Sequence, residues 1–357
     1  MDLINHEQTL SNIAGACIAA LVIGAAGIVL AADRIAWPPG LPVYDHIVIV
    51  VEENKDVDQI LGGRFDTPYI KQLATEGAVF SRMYAEEHYS QGNYFWLFSG
   101  SNQNVGFFDR VPSRANHPDY PFRASNLGSE LIRKGLTFKG YAEDLPAIGS
   151  EVEFDPPGCH GNDCVYGRKH VPWVSFANVP NGTTVETSSN LRFADFPSDY
   201  SKLPTVAFVI PNLNNDMHNG NLDTSIAIGD AWLKQNLDGY YQWAKTHNSL
   251  LIVTFDENDD RVGYAGLTNP FVSLNPAYPP NYNQFRLDLQ NRIVTIFAGA
   301  RIKPGVYPEG RGITHVNILR TIEAMYGLPK SGAQQPNAAG IGISDDTIIT
   351  DVFLPGR

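Results

Sequence analysis

The sequence predicts an α/β fold. Apolar runs of strand length alternate with helical patterns along most of the chain, the order expected of helices layered on a sheet. Several of these runs end in polar residues, as happens where an open sheet gathers its ligands beyond the carboxyl ends of its strands. The run 47–51 leads into Glu53-Asn54, the run 251–255 into Asp256-Glu257, and the run 206–210 into Pro211-Asn212, with Asp216 and His218 close behind. At 357 residues and 43% apolar content the chain is ample for one large core, and without an internal repeat the simplest division is a leader, 1–32, and one domain, 33–357. A net charge of −12 argues against nucleic acid as a partner, because affinity for a polyanion comes from clustered Lys and Arg.

Residues 13–32 are uninterruptedly apolar or small. The small-residue ending fits a cleaved export signal, and a stretch rising about 1.5 Å per residue is also long enough for a membrane anchor. The residues before it include Asp2, His6 and Glu7 but lack the usual Lys or Arg. The expectation is a secreted or periplasmic protein; the alternative is an anchored one that touches the membrane through 13–32 and keeps an extracytoplasmic domain. Cys17 lies inert in that run. Cys159 and Cys164 share a Pro- and Gly-rich segment, which in an exported chain reads as a short-loop disulfide, since a metal knuckle would need more soft ligands than His160.

Taken in order, Thr67-Pro68 opens a helix that Gly77 closes, with Tyr69, Ile70 and Leu73 on one face. Residues 93–99 read as a helix ended by Gly100. Ser90 lies at its start, where free N–H groups and the helix dipole favour an alkoxide and an incoming phosphate; an ordinary cap is the plainer reading. Residues 227–245 form a long helix before the strand 250–255, and 293–298 a further buried strand. Thr314 caps a helix with the core stripe Ile318, Leu319, Ile322, Met325 and Tyr326, ended by Gly327 and Pro329, and His315 falls in its first turn. The segments 275–282 and 330–340 read as loops.

Glu53, Asn54, Asp256 and Glu257 are oxygen donors suited to a divalent metal ion, whose identity stays open because His170, His218 or His315 would shift the preference toward Zn or Fe. His46, His117, His160 and His247 are expected at the surface or in loops. His88 has two readings, packing at the turn or contact with phosphate; Arg168 and Lys169 either attract an anion or cover the loop.

Glu53-Asn54 after the first strand, Ser90-Gln91-Gly92-Asn93-Tyr94, Arg168-Lys169-His170-Val171-Pro172, Pro211-Asn212 with Asp216-Met217-His218, Thr254-Phe255-Asp256-Glu257, and Thr314-His315 with Leu319-Arg320-Thr321-Ile322-Glu323 together resemble the bacterial and fungal phosphoesterase family. That family includes secreted acid phosphatases and phosphatidylcholine-type phospholipases C, within the alkaline phosphatase-like superfamily. The resemblance implies a three-layer α/β/α sandwich with a central, mostly parallel sheet. It implies a divalent metal ion held by Glu53, Asn54, Asp256 and Glu257, with Ser90 as nucleophile in a two-step displacement through phosphoserine. Asn93 would donate to a phosphoryl oxygen or tie the turn, and His170, His218 and His315 would line the phosphate pocket as supporting groups, ligands or proton donors. Gly92 stands where the family commonly has proline, Asn317 where serine is common, and Asn258 follows the Asp-Glu pair. The partner is expected to be a small-molecule phosphate ester or a phospholipid. Hydrolysis of phosphate monoesters is the first expectation, phospholipase C or phosphodiesterase activity the second, and a surface-binding protein that has lost catalysis the third.

Overall fold

The strand His46–Glu52 is buried from Ile47 onward, and a continuous run of Val and Ile suits a sheet covered on both faces. The structure, a computed structural model, describes residues 41–105, 109–259 and 291–354. His46–Glu52 pairs in parallel with Val206–Ile210 on one side and Ser249–Phe255 on the other. It lies inside an eight-stranded sheet ordered Gly305–Tyr307, Ala78–Phe80, Thr295–Gly299, Ser249–Phe255, His46–Glu52, Val206–Ile210, Phe138–Ala142 and Asn190–Arg192. Thr295–Gly299 runs against its neighbours, and the other pairings are parallel. The sheet is therefore mostly parallel, as expected.

Two groups of helices cover it. Pro68–Glu76 and Leu222–Ala244 pack on each other and on the strands, while Ser90–Ser99 packs with His315–Met325 and Leu127–Arg133. Ser90–Ser99 is buried all round, as a helix apolar on every side must be.

The boundaries follow local chemistry. Gly77 ends its helix as read. Thr314 caps His315–Met325 through a reciprocal pairing with Asn317, so the asparagine that stands in place of serine still completes a capping box. The long helix begins at Leu222, five residues before the expected start, because the Asn221 side chain accepts the Thr224 N–H. Residues 336–340, read as loop, contain the short helix Pro336–Gly340. The Cys159–Cys164 disulfide is formed. His117 is buried in its loop with its ring edge-on to Phe122, and Arg168 is buried rather than covering a loop, bonded to the Tyr120 hydroxyl and the Pro112 carbonyl. Among the described residues no helix is long and apolar enough to cross a membrane. The run 13–32, Cys17 and the segment 275–282 lie outside the described residues.

Candidate active site

Parallel pairing brings the polar strand ends together. The register sets Glu52 beside Phe255, so Glu53 and Asp256 leave the sheet side by side. Backbone bonds hold them: the Asp256 N–H donates to the Glu52 carbonyl at 2.9 Å, and the Glu53 N–H to the Asp216 carbonyl at 2.8 Å. Asn54 turns the chain in the left-handed region at φ 50°, which asparagine tolerates better than most residues. The turn aims its N–H at Asp256 Oδ1, 2.9 Å away, and its Nδ2 donates to Glu257 Oε1 at 2.9 Å.

Ser90 opens the helix Ser90–Ser99 and donates from Oγ to Glu53 Oε2 at 3.0 Å. The other Glu53 oxygen accepts from the Tyr94 hydroxyl at 2.7 Å, one helical turn on. The Tyr94 ring stacks on His170, centroids 4.8 Å apart. Asn93 Oδ1 accepts the N–H groups of Glu86 and Glu87, and its Nδ2 donates to the Glu87 carbonyl. Its amide thus ties the turn, and one remaining Nδ2 hydrogen is all it has for another acceptor. Gly92 has a steric reason: a Cβ there would lie 2.0 Å from Glu87 Oε1, which is held by Trp96 Nε1 and Asn102 Nδ2.

Electrostatically the site is crowded with buried carboxylates. Glu53, Asp216 and Asp256 are fully buried. Burial, then the charges of Asp256 and Asp216, pushes the Glu53 carboxyl well above the carboxylate range, against the opposing pull of Lys169 and the Tyr94 hydroxyl. Burial likewise raises Asp216, partly offset by the His218 N–H, and raises Asp256, partly offset by the Asn54 N–H and the Ser90 hydroxyl. The two histidines shift the other way. Burial, Lys169 and His218 push His170 well down, and burial with Lys169 lowers His218 to about 4. Both are neutral bases at neutral pH.

Glu53, His170 and Asp216 each place a donor atom within 4.8 Å of the others. His170 Nε2 lies 3.1 Å from Glu53 Oε1 without hydrogen-bond alignment, and His170 Nδ1 lies 3.7 Å from Asp216 Oδ2. Among the described residues, His170 Nε2 and Asp216 Oδ2 are buried with no hydrogen-bond partner. Orphaned donors of this kind beside repelling carboxylates suit a cation. The imidazole in the set admits a transition metal as well as Mg or Ca.

The expected residues thus divide. Glu53, Asn54, Ser90, Asp256, His170 and His218 converge. Glu257 adjoins them, with Oε2 paired to His88 Nδ1 at 2.9 Å, which gives His88 a partner at the site. His315 stands behind the strand end: Nδ1 meets Glu86 Oε2 at 2.7 Å and Nε2 meets the Phe255 carbonyl at 2.8 Å. With both nitrogens engaged it offers none to a ligand or a substrate, a support rather than a pocket wall. Although burial opposes its protonation, the Glu86 carboxylate and the Phe255 carbonyl raise its pKa.

Sequence reasoning places Asp216 at the third strand end without including it in the ligand set, and assigns Tyr94 no role of its own. The signal for Asp216 is its place just past the strand Val206–Ile210; that for Tyr94 is its spacing of four residues, one helical turn, from Ser90.

Comparison with known proteins agrees with this geometry. Residues 63–329 match the model of the Phosphoesterase family. The chain is 42% identical over 294 residues to a phosphatidylinositol-3-phosphatase of Mycobacterium tuberculosis, covering 82% of this chain and 80% of that one. It is 27% identical over 325 residues to a probable acid phosphatase of Kluyveromyces lactis, covering 87% of this chain but 65% of that one. Among solved structures, a Vibrio parahaemolyticus protein in the alkaline phosphatase superfamily superposes with TM-score 0.53 at 13% identity, over 82% of this chain and 70% of that one; this likeness shows the fold. With strand ends, helix and family model in agreement, the chain belongs to the Phosphoesterase family and is a phosphoric ester hydrolase.

Proposed function

We propose that the chain hydrolyses phosphate monoesters through a phosphoserine formed on Ser90, with a divalent metal ion as cofactor. The observation that carries this reading is the 3.0 Å bond from Ser90 Oγ to Glu53 Oε2 at the start of a helix beside buried carboxylates. Ser90 Oγ bonds to phosphorus while the P–O bond to the alcohol breaks. The serine proton passes along the existing bond to Glu53. The departing alkoxide takes a proton from water, the hydroxide so formed bonds to phosphorus as the Ser90–phosphorus bond breaks, Ser90 Oγ recovers its proton from Glu53, and hydrogen phosphate leaves.

Glu53, Asn54, Asp256 and Glu257, together with Asp216 and His170, would hold the cation. When bound it neutralises phosphoryl charge and lowers the pKa of a coordinated hydroxyl. His170 and His218, held neutral, present lone pairs rather than protons, which favours ligation or base roles over protonation of the leaving alcohol. Asn93 retains one N–H for a phosphoryl oxygen.

Two further points belong to this reading. The relatives compared above are both named as phosphatases, which favours monoesters over diesters, and the mycobacterial name places a phosphorylated inositol lipid among the substrates to test. The disulfide and the apolar run 13–32 favour export.

The test is phosphate release from a monoester panel that includes phosphatidylinositol 3-phosphate, against choline-phosphate release from phosphatidylcholine, with and without chelator. Chelator-sensitive monoester cleavage supports the reading. Preferential choline-phosphate release would move the protein to phospholipase C.

A further inference from the structure

Lys169 is used incompletely by the fold. Its side chain retains 10% of its exposure and places Nζ 2.7 Å from Asp109 Oδ2. Among the described residues Asp109 is the bonded partner that its ammonium has, although the group carries three N–H donors. A desolvated ammonium with donor capacity unspent is costly. Lys55 shows the contrast: its Nζ meets the carbonyls of Met217, Asn54 and Glu53 at 2.7, 3.1 and 3.3 Å.

Asp109 also fixes where the charge sits. Its Oδ1 accepts the N–H of Gln91 at 3.0 Å, the residue after Ser90. One carboxylate therefore bridges the Lys169 ammonium and the start of the ten-residue helix that presents the serine. Lys169 also immediately precedes His170, whose Nε2 lies 3.1 Å from Glu53 Oε1 and whose ring stacks on Tyr94, so the ammonium is anchored beside the serine from two directions.

We propose that Lys169 is a catalytic residue that donates to the non-bridging oxygens of the phosphoryl group, that Asp109 is its positioning residue, and that the pair makes the site prefer phosphate monoesters to diesters. A monoester phosphoryl group has a second pKa near 6 and is largely dianionic at neutral pH, whereas a diester carries one negative charge. A fixed cation near the reacting phosphorus favours the dianion. This inference rests on Ser90 as the nucleophile and deepens that reading to substrate class.

The experiment uses the full chain, with 4-nitrophenyl phosphate and bis(4-nitrophenyl) phosphate as monoester and diester and inorganic phosphate as competitive inhibitor. Lys169→Met should lower monoester kcat/KM by about 10- to 100-fold, the cost of a lost hydrogen bond to a charged group. The diester should lose much less, so the monoester-to-diester ratio falls about tenfold or more, and inhibition by phosphate weakens in parallel. Lys169→Arg should restore part of the ratio and Asp109→Asn should lower it by a smaller factor; these two decide the matter if Lys169→Met fails a thermal-unfolding check. A folded Lys169→Met with an unchanged ratio, or both substrates falling equally in Lys169→Met and Asp109→Asn, overturns the proposal. Ser90→Ala, run alongside, separates the readings: an inactive serine variant with an unchanged ratio in the lysine variant removes Lys169 alone, and an active serine variant removes the nucleophile assignment.

Discussion

Ser90 donates its hydroxyl to Glu53 across 3.0 Å, and the two residues arrive from different elements, one opening a buried helix and the other ending the central strand. Ser90→Ala removes only the oxygen at an otherwise packed position. Turnover of monoesters should fall by a factor on the order of 10³ or more, with the unfolding midpoint close to wild type. Near wild-type turnover in a folded variant would end the assignment.

The Tyr94 hydroxyl, 2.7 Å from the other Glu53 oxygen, favours the ionised carboxylate and so holds its pKa below the value that burial alone would set. Tyr94→Phe should raise the Glu53 pKa. Because ionised Glu53 is the form that accepts the serine proton, the acid limb of the kcat/KM profile should move to higher pH. An unmoved limb in a folded Tyr94→Phe protein would separate Glu53 from proton transfer.

How much of this was legible beforehand can be judged from single residues. Hydrophobic runs ending in Glu53-Asn54 and Asp256-Glu257 announced both the sheet and its functional edge, because parallel strands place their carboxyl ends together. Asp216 was seen near its strand, but only the left-handed turn at Met217, φ 76°, and the Glu53–Asp216 backbone bond bring it into the cluster. For His315 the sequence leaves support, ligation and proton donation open: a helix first turn tells where a side chain starts, and only the fold reveals Glu86 and the Phe255 carbonyl on either side of its ring. Glu52 shows the same limit. Successive strand residues face opposite sides, so nothing local says that both Glu52 and Glu53 end fully buried.

His315 links the helix His315–Met325 to the backbone just before Asp256. Its ring faces two acceptors, the arrangement of an imidazolium, and its folded pKa is raised. Removing one partner of a buried pair costs about 3–5 kcal/mol, so His315→Ala should lower the unfolding midpoint strongly and reduce kcat through displacement of Asp256. The stabilisation from His315 is full below its unfolded pKa and fades as pH rises through the folded one; the stability gap between wild type and variant should shrink at alkaline pH. A gap that widens with pH would contradict the charged form.

The raised carboxyls of Glu53, Asp216 and Asp256 give a second pH dependence. In the metal-free folded chain they bind more protons than in the unfolded chain above the ordinary carboxylate range, so their contribution to stability falls as pH rises through their folded pKa values. A cation that needs them ionised reverses this. The rise in unfolding midpoint produced by Mn²⁺ or Zn²⁺ should therefore grow from mildly acidic to neutral pH, and Asp216→Asn should diminish it. Equal shifts at both pH values would argue against binding through these groups.

The Cys159–Cys164 loop carries the loop that bears Asp216 and His218: Asn219 Nδ2 donates to the Cys164 carbonyl at 2.9 Å and Asn219 Oδ1 meets His218 Nδ1 at 3.0 Å. Closing so short a loop contributes about 2 kcal/mol. Replacing both cysteines by serine should lower stability by about that amount, and KM should rise more than kcat falls. Unchanged stability and kinetics would make the bridge dispensable.

A covalent phosphoserine on Ser90 is the intermediate that sets the proposed two-step hydrolysis apart from direct attack by water. The most direct measurement is peptide-resolved mass spectrometry of the full chain, acid-quenched during turnover of a phosphate monoester with the metal present. One phosphate is expected on the peptide containing Ser90, lost in Ser90→Ala together with activity. Phosphate on a different residue, or an unmodified Ser90 peptide under conditions where breakdown of the intermediate limits turnover, would contradict it.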